Sequence, residues 1–184
     1  MFKCKYPTVS RRITSPYGPR LIGDKFHDGI DIGAVIPGNN DKIMAAHDGV
    51  IATTYYSKSY GNLIVINDKD TKYSTVYGHL NKVSIKSGQI VKQGDTIGFM
   101  GSTGYSTGIH LHFEARNKHY DSTYWNSHDG EFYSSYDPML YLVDDDTLKV
   151  ELMAIHNRIK NDLIAYSELT VANLSEFNQL IDKM

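Results

Sequence analysis

The stretch STGIHLHFEAR, residues 106–116, places His110 and His112 two positions apart within an apolar run. Because side chains alternate between the two faces of a β-strand, residues at positions i and i+2 point the same way. Two neutral imidazoles side by side contribute little to packing. The pair therefore predicts contact with a metal, a substrate or a partner.

The composition fits one medium-sized domain with room for an appendage. The chain has 184 residues, of which 41% are hydrophobic, and a formal net charge of -2, so it lacks the basic field that holds nucleic acid. Cys4 is the single cysteine, so no internal disulfide is expected. The opening residues MFKCKYPTVSRR are not followed by an apolar segment, and no long uncharged run occurs, so neither a signal peptide nor a membrane span is predicted.

Short runs rich in Val, Ile and Tyr, separated by turn dipeptides, fill residues 1–143. Six of these runs predict strands, at residues 49–56, 62–68, 72–80, 82–86, 96–101 and 109–116. Their connections are short enough for antiparallel hairpins. We therefore predict a mainly β domain over residues 1–143, with antiparallel sheets in a sandwich or barrel-like arrangement.

The pattern changes to a helical period in residues 144–184. Apolar residues spaced by four or three positions form one stripe: Leu148, Leu152, Ile155, Ile159, Leu163 and Tyr166. The acidic DDD before the stripe favours a helix N-terminus, and residues 171–184 predict a second helix. We expect a short α-helical extension that covers the sheet or pairs with a second copy of the chain.

The segment FHDGIDIGA, residues 26–34, places His27 and Asp31 four positions apart. In a straight strand their side chains would be separated by roughly 13 Å, too far to share a metal, but the Asp-Gly dipeptide at 28–29 predicts a bend. His112 would complete a set of three ligands and leave a fourth position for water, while His110 is an alternative or additional ligand. Glu114, on the same strand face, is a candidate to orient a ligand, and a core or surface role is equally open.

A further histidine, His79, ends the run TVYGHL. The HDGID segment lacks the Glu base of the H-E-x-x-H metalloenzymes, so proton transfer would need other groups. His79 and His110 are the available groups. The remaining histidines, at positions 47, 119, 128 and 156, have no matching partner spacing.

Taken in order, HDGIDIGA, VYGHL and GSTGYSTGIHLHFEAR, flanked by SPYGPR and YDPMLYL, resemble the lysostaphin-type (LytM-domain) zinc endopeptidases over residues 8–142. The resemblance implies a compact antiparallel β fold with a groove, and zinc-dependent hydrolysis of peptide cross-links or stems of bacterial peptidoglycan. It also implies that His27, Asp31 and His112 bind one zinc ion. His79 and His110 would then be the catalytic pair that assists a zinc-activated water.

One segment departs from the family pattern. Residues 117–136 are longer than the expected turn and carry six aromatic rings, including Trp125. We predict that these rings form one wall of the substrate groove, with packing onto the sheet or the C-terminal helices as the alternative.

Three other classes of protein share parts of these motifs. A cupin would leave HDGID without a role, and a biotinyl or lipoyl carrier would need a lysine in a modification turn. The third class is a catalytically silent zinc-holding module of a phage or cell-wall complex. For the enzyme, the apparent lack of a secretion signal predicts a phage lysin or virion-associated hydrolase that reaches the cell wall by lysis or in the virion. The C-terminal helices would serve as an oligomer or virion contact.

Overall fold

The computed structural model describes residues 2–20, 26–120, 135–144, 155–156, 158–160 and 163. Two compact units make up the chain, Met1–Val143 and Asp144–Met184. In the described part of the first unit the strands are β1 (Cys4–Lys5), β2 (Ile13–Ser15), β3 (Gly18–Pro19), β4 (Phe26–His27), β5 (Ile30–Gly33), β6 (Lys42–Met44), β7 (Gly49–Ser57), β8 (Gly61–Asp68), β9 (Ser74–Leu80), β10 (Lys82–Val83), β11 (Ile90–Val91), β12 (Thr96–Phe99), β13 (His110–Arg116), β14 (Ser135–Tyr136) and β15 (Leu142–Val143), with a 3₁₀ helix at Pro138–Leu140.

The largest sheet has the strand order β11-β7-β8-β9-β13-β5-β2, and β14 also pairs with β13. All of its pairings are antiparallel. A three-stranded antiparallel sheet, β10-β12-β6, and two short two-stranded pairs, β1-β15 and β3-β4, complete the unit. The prediction of a mainly β, antiparallel fold is confirmed, and each of the six predicted runs contains a strand.

The main core lies on one face of the large sheet. In β13 the side chains of Leu111 and Phe113 enter this core, together with apolar side chains of β5, β6 and β12. A smaller cluster of Leu63, Val65 and Val76 forms on the other face, because β8 is buried on both sides. The strand β13 therefore presents odd-numbered residues to the main core and even-numbered residues, including both histidines, to the opposite face.

Part of the predicted C-terminal helix is described. Residues 155–156, 158–160 and 163 are helical, in agreement with the prediction, and Ile155, Ile159 and Leu163 of the apolar stripe are exposed. The predicted second helix, at 171–184, lies outside the described residues. Within the described part of the chain, no helix has the length and hydropathy needed to cross a membrane.

A histidine remote from the even-numbered face of β13 is buried in the first unit. His47 Nδ1 donates to the carbonyl oxygen of Asp48 at 2.9 Å, and its Nε2 lies 2.9 Å from the hydroxyl of Thr75. Burial lowers the pKa of His47 below its ordinary value of 6.5, and this outweighs the hydrogen bond to Asp48 and the charge of Asp68, which raise it. The folded protein therefore keeps this imidazole neutral at pH 7.

This burial predicts a pH-dependent stability. Below pH 6.5 the unfolded chain protonates His47 more readily than the folded chain does, so the free energy of unfolding should fall with pH, by up to about 1.4 kcal/mol per pH unit. In His47→Gln, urea unfolding between pH 7.5 and 5 in the presence of a chelator should show a shallower slope. His156→Gln, at an exposed position that does not act on the pKa of His47, is the control and should keep the wild-type slope. An unchanged slope in His47→Gln would contradict the prediction.

Candidate active site

Three of the predicted site residues meet on the even-numbered face of β13. His27 ends β4, Asp31 lies in β5, and His112 lies in β13 directly opposite Asp31. His27 Nε2 is 3.0 Å from His112 Nδ1, and Asp31 Oδ1 is 3.1 Å from each of these two nitrogens. The three atoms converge on one point, as metal ligands do.

A bend at Asp28–Gly29 makes this convergence possible. The bend separates β4 from β5, so His27 and Asp31 approach within 3.1 Å although they are four residues apart. The backbone of β13 lies close against the bend: a Cβ at Gly29 would be 2.3 Å from the carbonyl oxygen of Phe113. Only glycine therefore fits at position 29 without displacing β13.

Hydrogen bonds on the outer side of each imidazole set its orientation. His27 Nδ1 donates to the carbonyl oxygen of Pro16 at 2.7 Å, and His112 Nε2 donates to Oε1 of Glu114 at 2.9 Å. Carbonyl and carboxylate oxygens only accept, so the protons sit on the outer nitrogens. The inner nitrogens, His27 Nε2 and His112 Nδ1, both face Asp31 Oδ1, where they can hold a cation, either a proton or a metal ion.

The two oxygens of the Asp31 carboxylate also have different partners. Its Oδ1 faces the two imidazoles, while its Oδ2 accepts a hydrogen bond of 3.0 Å from Nη2 of Arg20, which also donates to Ser15 Oγ at 2.8 Å. Burial raises the pKa of Asp31, but the hydrogen bonds and charges of His112 and His27 outweigh it and hold the pKa well below its usual range. Asp31 is therefore anionic at any physiological pH, as a candidate metal ligand must be.

The same contacts act on His112. Burial lowers its pKa, but hydrogen bonds to Asp31 and Glu114 outweigh burial and raise the pKa to about 9. The surrounding carboxylates therefore favour a positive charge at this position, whether a proton or a metal ion carries it. This is the electrostatic setting that a metal cation requires.

The other two predicted residues lie beside this group. His79 and His110 have ring centroids 4.7 Å apart, and the centroid of His79 is 5.8 Å from that of His112. His79 Nδ1 donates to the carbonyl oxygen of Thr103 at 2.8 Å, and His110 Nδ1 donates to that of Gly108 at 2.8 Å. Both histidines therefore direct Nε2 away from these carbonyl groups, and Nε2 of His110 lies 3.5 Å from Asp31 Oδ1.

Burial is the main cause that lowers the pKa of His79 to about 4; the neighbouring His112 and His110 act in the same direction, and the hydrogen bond to Thr103 and the charge of Asp31 oppose them. His79 is therefore neutral at pH 7 in this environment, and its Nε2 carries a lone pair.

The backbone at His79 was not predicted from the sequence. Its φ of 61° is the only positive φ of a non-glycine residue in the described chain. The register between β8 and β9 shifts here, so that Leu63 alone faces both Gly78 and His79. This β-bulge turns the imidazole toward the site and is held by a 2.7 Å hydrogen bond from His79 N to Tyr60 O.

A cavity of about 340 Å³ lies over the site and is lined by all five predicted site residues and by Asp28. Tyr105, 74% exposed, and Arg20 also line it, and the sequence reasoning did not single out either residue. Of the predicted aromatic wall, residues 121–134, including Trp125, lie outside the described part. Tyr120, from the same segment, packs against the smaller apolar cluster of the sheet.

Glu114, whose role was open, is fully buried and bonded to His112. Of the histidines without a predicted role, His47 lies outside the cavity lining, and His128 is outside the described residues.

Convergent ligand atoms beside two further imidazoles, all in an open cavity on an antiparallel sheet, are typical of metal-dependent hydrolases. Comparison with protein families narrows this class. The model of Peptidase family M23 matches residues 25–126, more than half of the chain, and the chain belongs to this family.

Individual proteins agree with this assignment. The peptidoglycan DD-endopeptidase ShyC of Vibrio cholerae serotype O1 is 40% identical over 113 residues, which are 59% of this chain and 25% of ShyC. The catalytic domain of the antimicrobial peptidase lysostaphin from Staphylococcus simulans matches with a TM-score of 0.56 and 30% identity, over 76% of this chain and 91% of that domain. A zinc-containing peptidase from Vibrio cholerae matches with a TM-score of 0.55 and 34% identity, over 64% of this chain and 37% of that one. The chain spans about a quarter of the length of the curated relatives it matches.

The close approach at Gly29 gives a testable prediction. Gly29→Ala should lower the free energy of unfolding by about 1–3 kcal/mol, because the new methyl group overlaps the Phe113 carbonyl oxygen and must push β13 away from the bend. Thermal or urea unfolding measures the change. Gly108→Ala is the matched control, since its Cβ would meet nothing within 4 Å. Equal stability of the two variants would contradict the packing argument.

Proposed function

We propose that the chain is a zinc-dependent endopeptidase that hydrolyses peptide cross-links or stem peptides of bacterial peptidoglycan. The observation that carries the proposal is the group of His27, Asp31 and His112, whose ligand atoms all lie within 4.8 Å of one another. Two imidazole nitrogens and one carboxylate oxygen fit catalytic zinc, where three protein ligands leave one position for water. One zinc ion would be held by these three residues.

Zinc bound there would polarise a peptide carbonyl and make water a nucleophile near neutral pH. His79 and His110 would move the protons, because both direct Nε2 away from their backbone acceptors and their rings are 4.7 Å apart. His79, neutral at pH 7, is able to accept a proton from the attacking water. Either imidazole can then stabilise the developing oxyanion by hydrogen bonding or return a proton to the leaving amine.

The substrate class rests on the relatives. ShyC is named a peptidoglycan DD-endopeptidase, and lysostaphin an antimicrobial peptidase. The cavity over the site supports a peptide substrate, and the exposed ring of Tyr105 at this cavity is placed to flank an extended chain.

The division of the chain and its biological setting are also proposals. Residues 1–143 would be the peptidase domain, and residues 144–184 a helical extension that contacts another copy of the chain or a virion component. The exposed side chains of Ile155, Ile159 and Leu163 support a contact through this extension. A phage lysin released by lysis, or carried in the virion, is the setting we propose.

Cell-wall digestion tests the activity. Purified protein incubated with bacterial walls should release new amino termini, a chelator should abolish the release, and added zinc should restore it. Mass spectrometry of the fragments from walls with different cross-links would identify the bond. Zinc binding without any released amino terminus would favour the catalytically silent module instead.

Two variants on the same strand face distinguish the proposed role of metal ligand from that of proton-transfer group. His110→Ala should keep zinc and lose about 10²- to 10³-fold in cleavage rate, because it removes only a proton-transfer group. His112→Ala should lose zinc and activity together. Zinc content by atomic absorption and release of amino termini are measured on the same samples, and loss of zinc in His110→Ala would overturn the assignment.

A further inference from the structure

Four side chains follow one another along one face of β13, at His110, His112, Glu114 and Arg116. Exposure decreases over the first three members, from 15% for the side chain of His110 to 10% for His112 and 0% for Glu114, and the side chain of Arg116 is 5% exposed. The row therefore runs from the open cavity into the interior. The proposed function uses its first two members and leaves the buried pair without a role.

The carboxylate of Glu114 accepts hydrogen bonds from three donors. Oε1 accepts from His112 Nε2 at 2.9 Å and from the Tyr60 hydroxyl at 2.8 Å, and Oε2 accepts from Arg116 Nε at 2.6 Å. Arg116 Nη2 also donates to the Tyr60 hydroxyl oxygen at 3.3 Å. Burial of a charged carboxylate is unfavourable unless it is paired and hydrogen-bonded, and here it is both. The position of Glu114 is therefore fixed from two sides before it contacts His112.

This contact determines which nitrogen of His112 faces the cavity. A carboxylate at Nε2 keeps the proton on that nitrogen, so Nδ1, which faces Asp31 and His27, is the nitrogen that would present its lone pair to a metal. The ring of Tyr60 lies edge-on to the His112 ring at 5.5 Å between centroids, which limits rotation of the imidazole. Both the tautomer and the ring plane are set by groups away from the ligand atoms.

Tyr60 also contacts His79, one of the two proposed proton-transfer groups. Its carbonyl oxygen accepts the hydrogen bond from the backbone N–H of His79, at 2.7 Å, that holds the β-bulge in place. One residue therefore anchors Glu114 through its hydroxyl and His79 through its backbone.

From these contacts we propose that Glu114 is a positioning residue for the metal, which acts through His112 and is itself held by Arg116 and Tyr60. The inference rests on the proposed zinc site and goes beyond it. Glu114 fixes the imidazole in the ligating tautomer and increases its electron donation, and so raises the affinity for zinc. The alternative is a purely structural ion pair, in which Glu114 only balances the charge of Arg116.

Zinc affinity separates the two roles. In Glu114→Gln the side chain keeps its size and loses its charge, and competition with a chromophoric chelator should show about a 10- to 100-fold weaker zinc affinity. Asp70→Asn, at an exposed carboxylate, controls for the loss of one negative charge and should bind zinc as the wild type does. Wild-type affinity in Glu114→Gln would overturn the inference.

A double variant excludes a merely structural effect. Glu114→Gln alone removes the buried negative charge that faces the Arg116 cation, so the metal-free protein should unfold at lower temperature. Adding Arg116→Met removes this cation and should recover much of the metal-free stability while zinc affinity stays weak. Recovery of zinc affinity together with stability would show that the pair acts only through folding.

A milder variant decides the question if Glu114→Gln does not fold. Tyr60→Phe keeps the ring and removes one donor to Glu114, and its zinc affinity should fall a few-fold; an unchanged affinity would overturn the inference. In zinc-loaded wild type, nitrogen-15 NMR should also show the proton of His112 on Nε2. The proposed zinc site fails separately, if the wild type does not bind zinc or if His27→Ala binds it equally well.

Discussion

The pairing of β5 with β13, which sets Asp31 opposite His112, is the constraint on which core and site both depend. The same register places Ile32 opposite Leu111, on the other face, where both are buried in the main core. A slip of one residue would turn the apolar set toward the cavity and the ligands toward the core. Hydrophobic burial therefore enforces the positions of the polar groups, since the register that buries the isoleucines is the one that joins the ligands.

Backbone carbonyl groups perform much of the orientation in this site. The carbonyl oxygens of Pro16, Thr103 and Gly108 accept the outer hydrogen bonds of His27, His79 and His110. Because these acceptors belong to the main chain, they depend on loop shape and not on side-chain identity. His112 and Asp31 differ, since their outer partners are the charged side chains of Glu114 and Arg20. The charged partners are thus concentrated on the two central, directly paired ligands.

Local rules predicted the strands and faces but not the contacts between distant segments. Alternation placed His110 and His112 on one face, and the Asp-Gly dipeptide after His27 predicted the bend that the structure contains. Alternation places both imidazoles on the same face and does not distinguish them. The family resemblance was needed to predict which of the two binds metal. The bulge at His79 and the hydroxyl of Tyr60 at Glu114 arise from long-range pairing, which no local pattern encodes. The shortest strands, such as β3 and β4, are too short to show a period.

The left-handed backbone of His79 has a consequence for how such a protein changes over generations. Glycine and asparagine adopt this conformation with less strain, yet neither can take up a proton near neutral pH. Under the proposed function, substitution by either residue would relax the backbone and remove the proton-transfer group in one step. Loss of activity would then be the energetically favourable direction at this position, and selection for catalysis would have to act continuously against it.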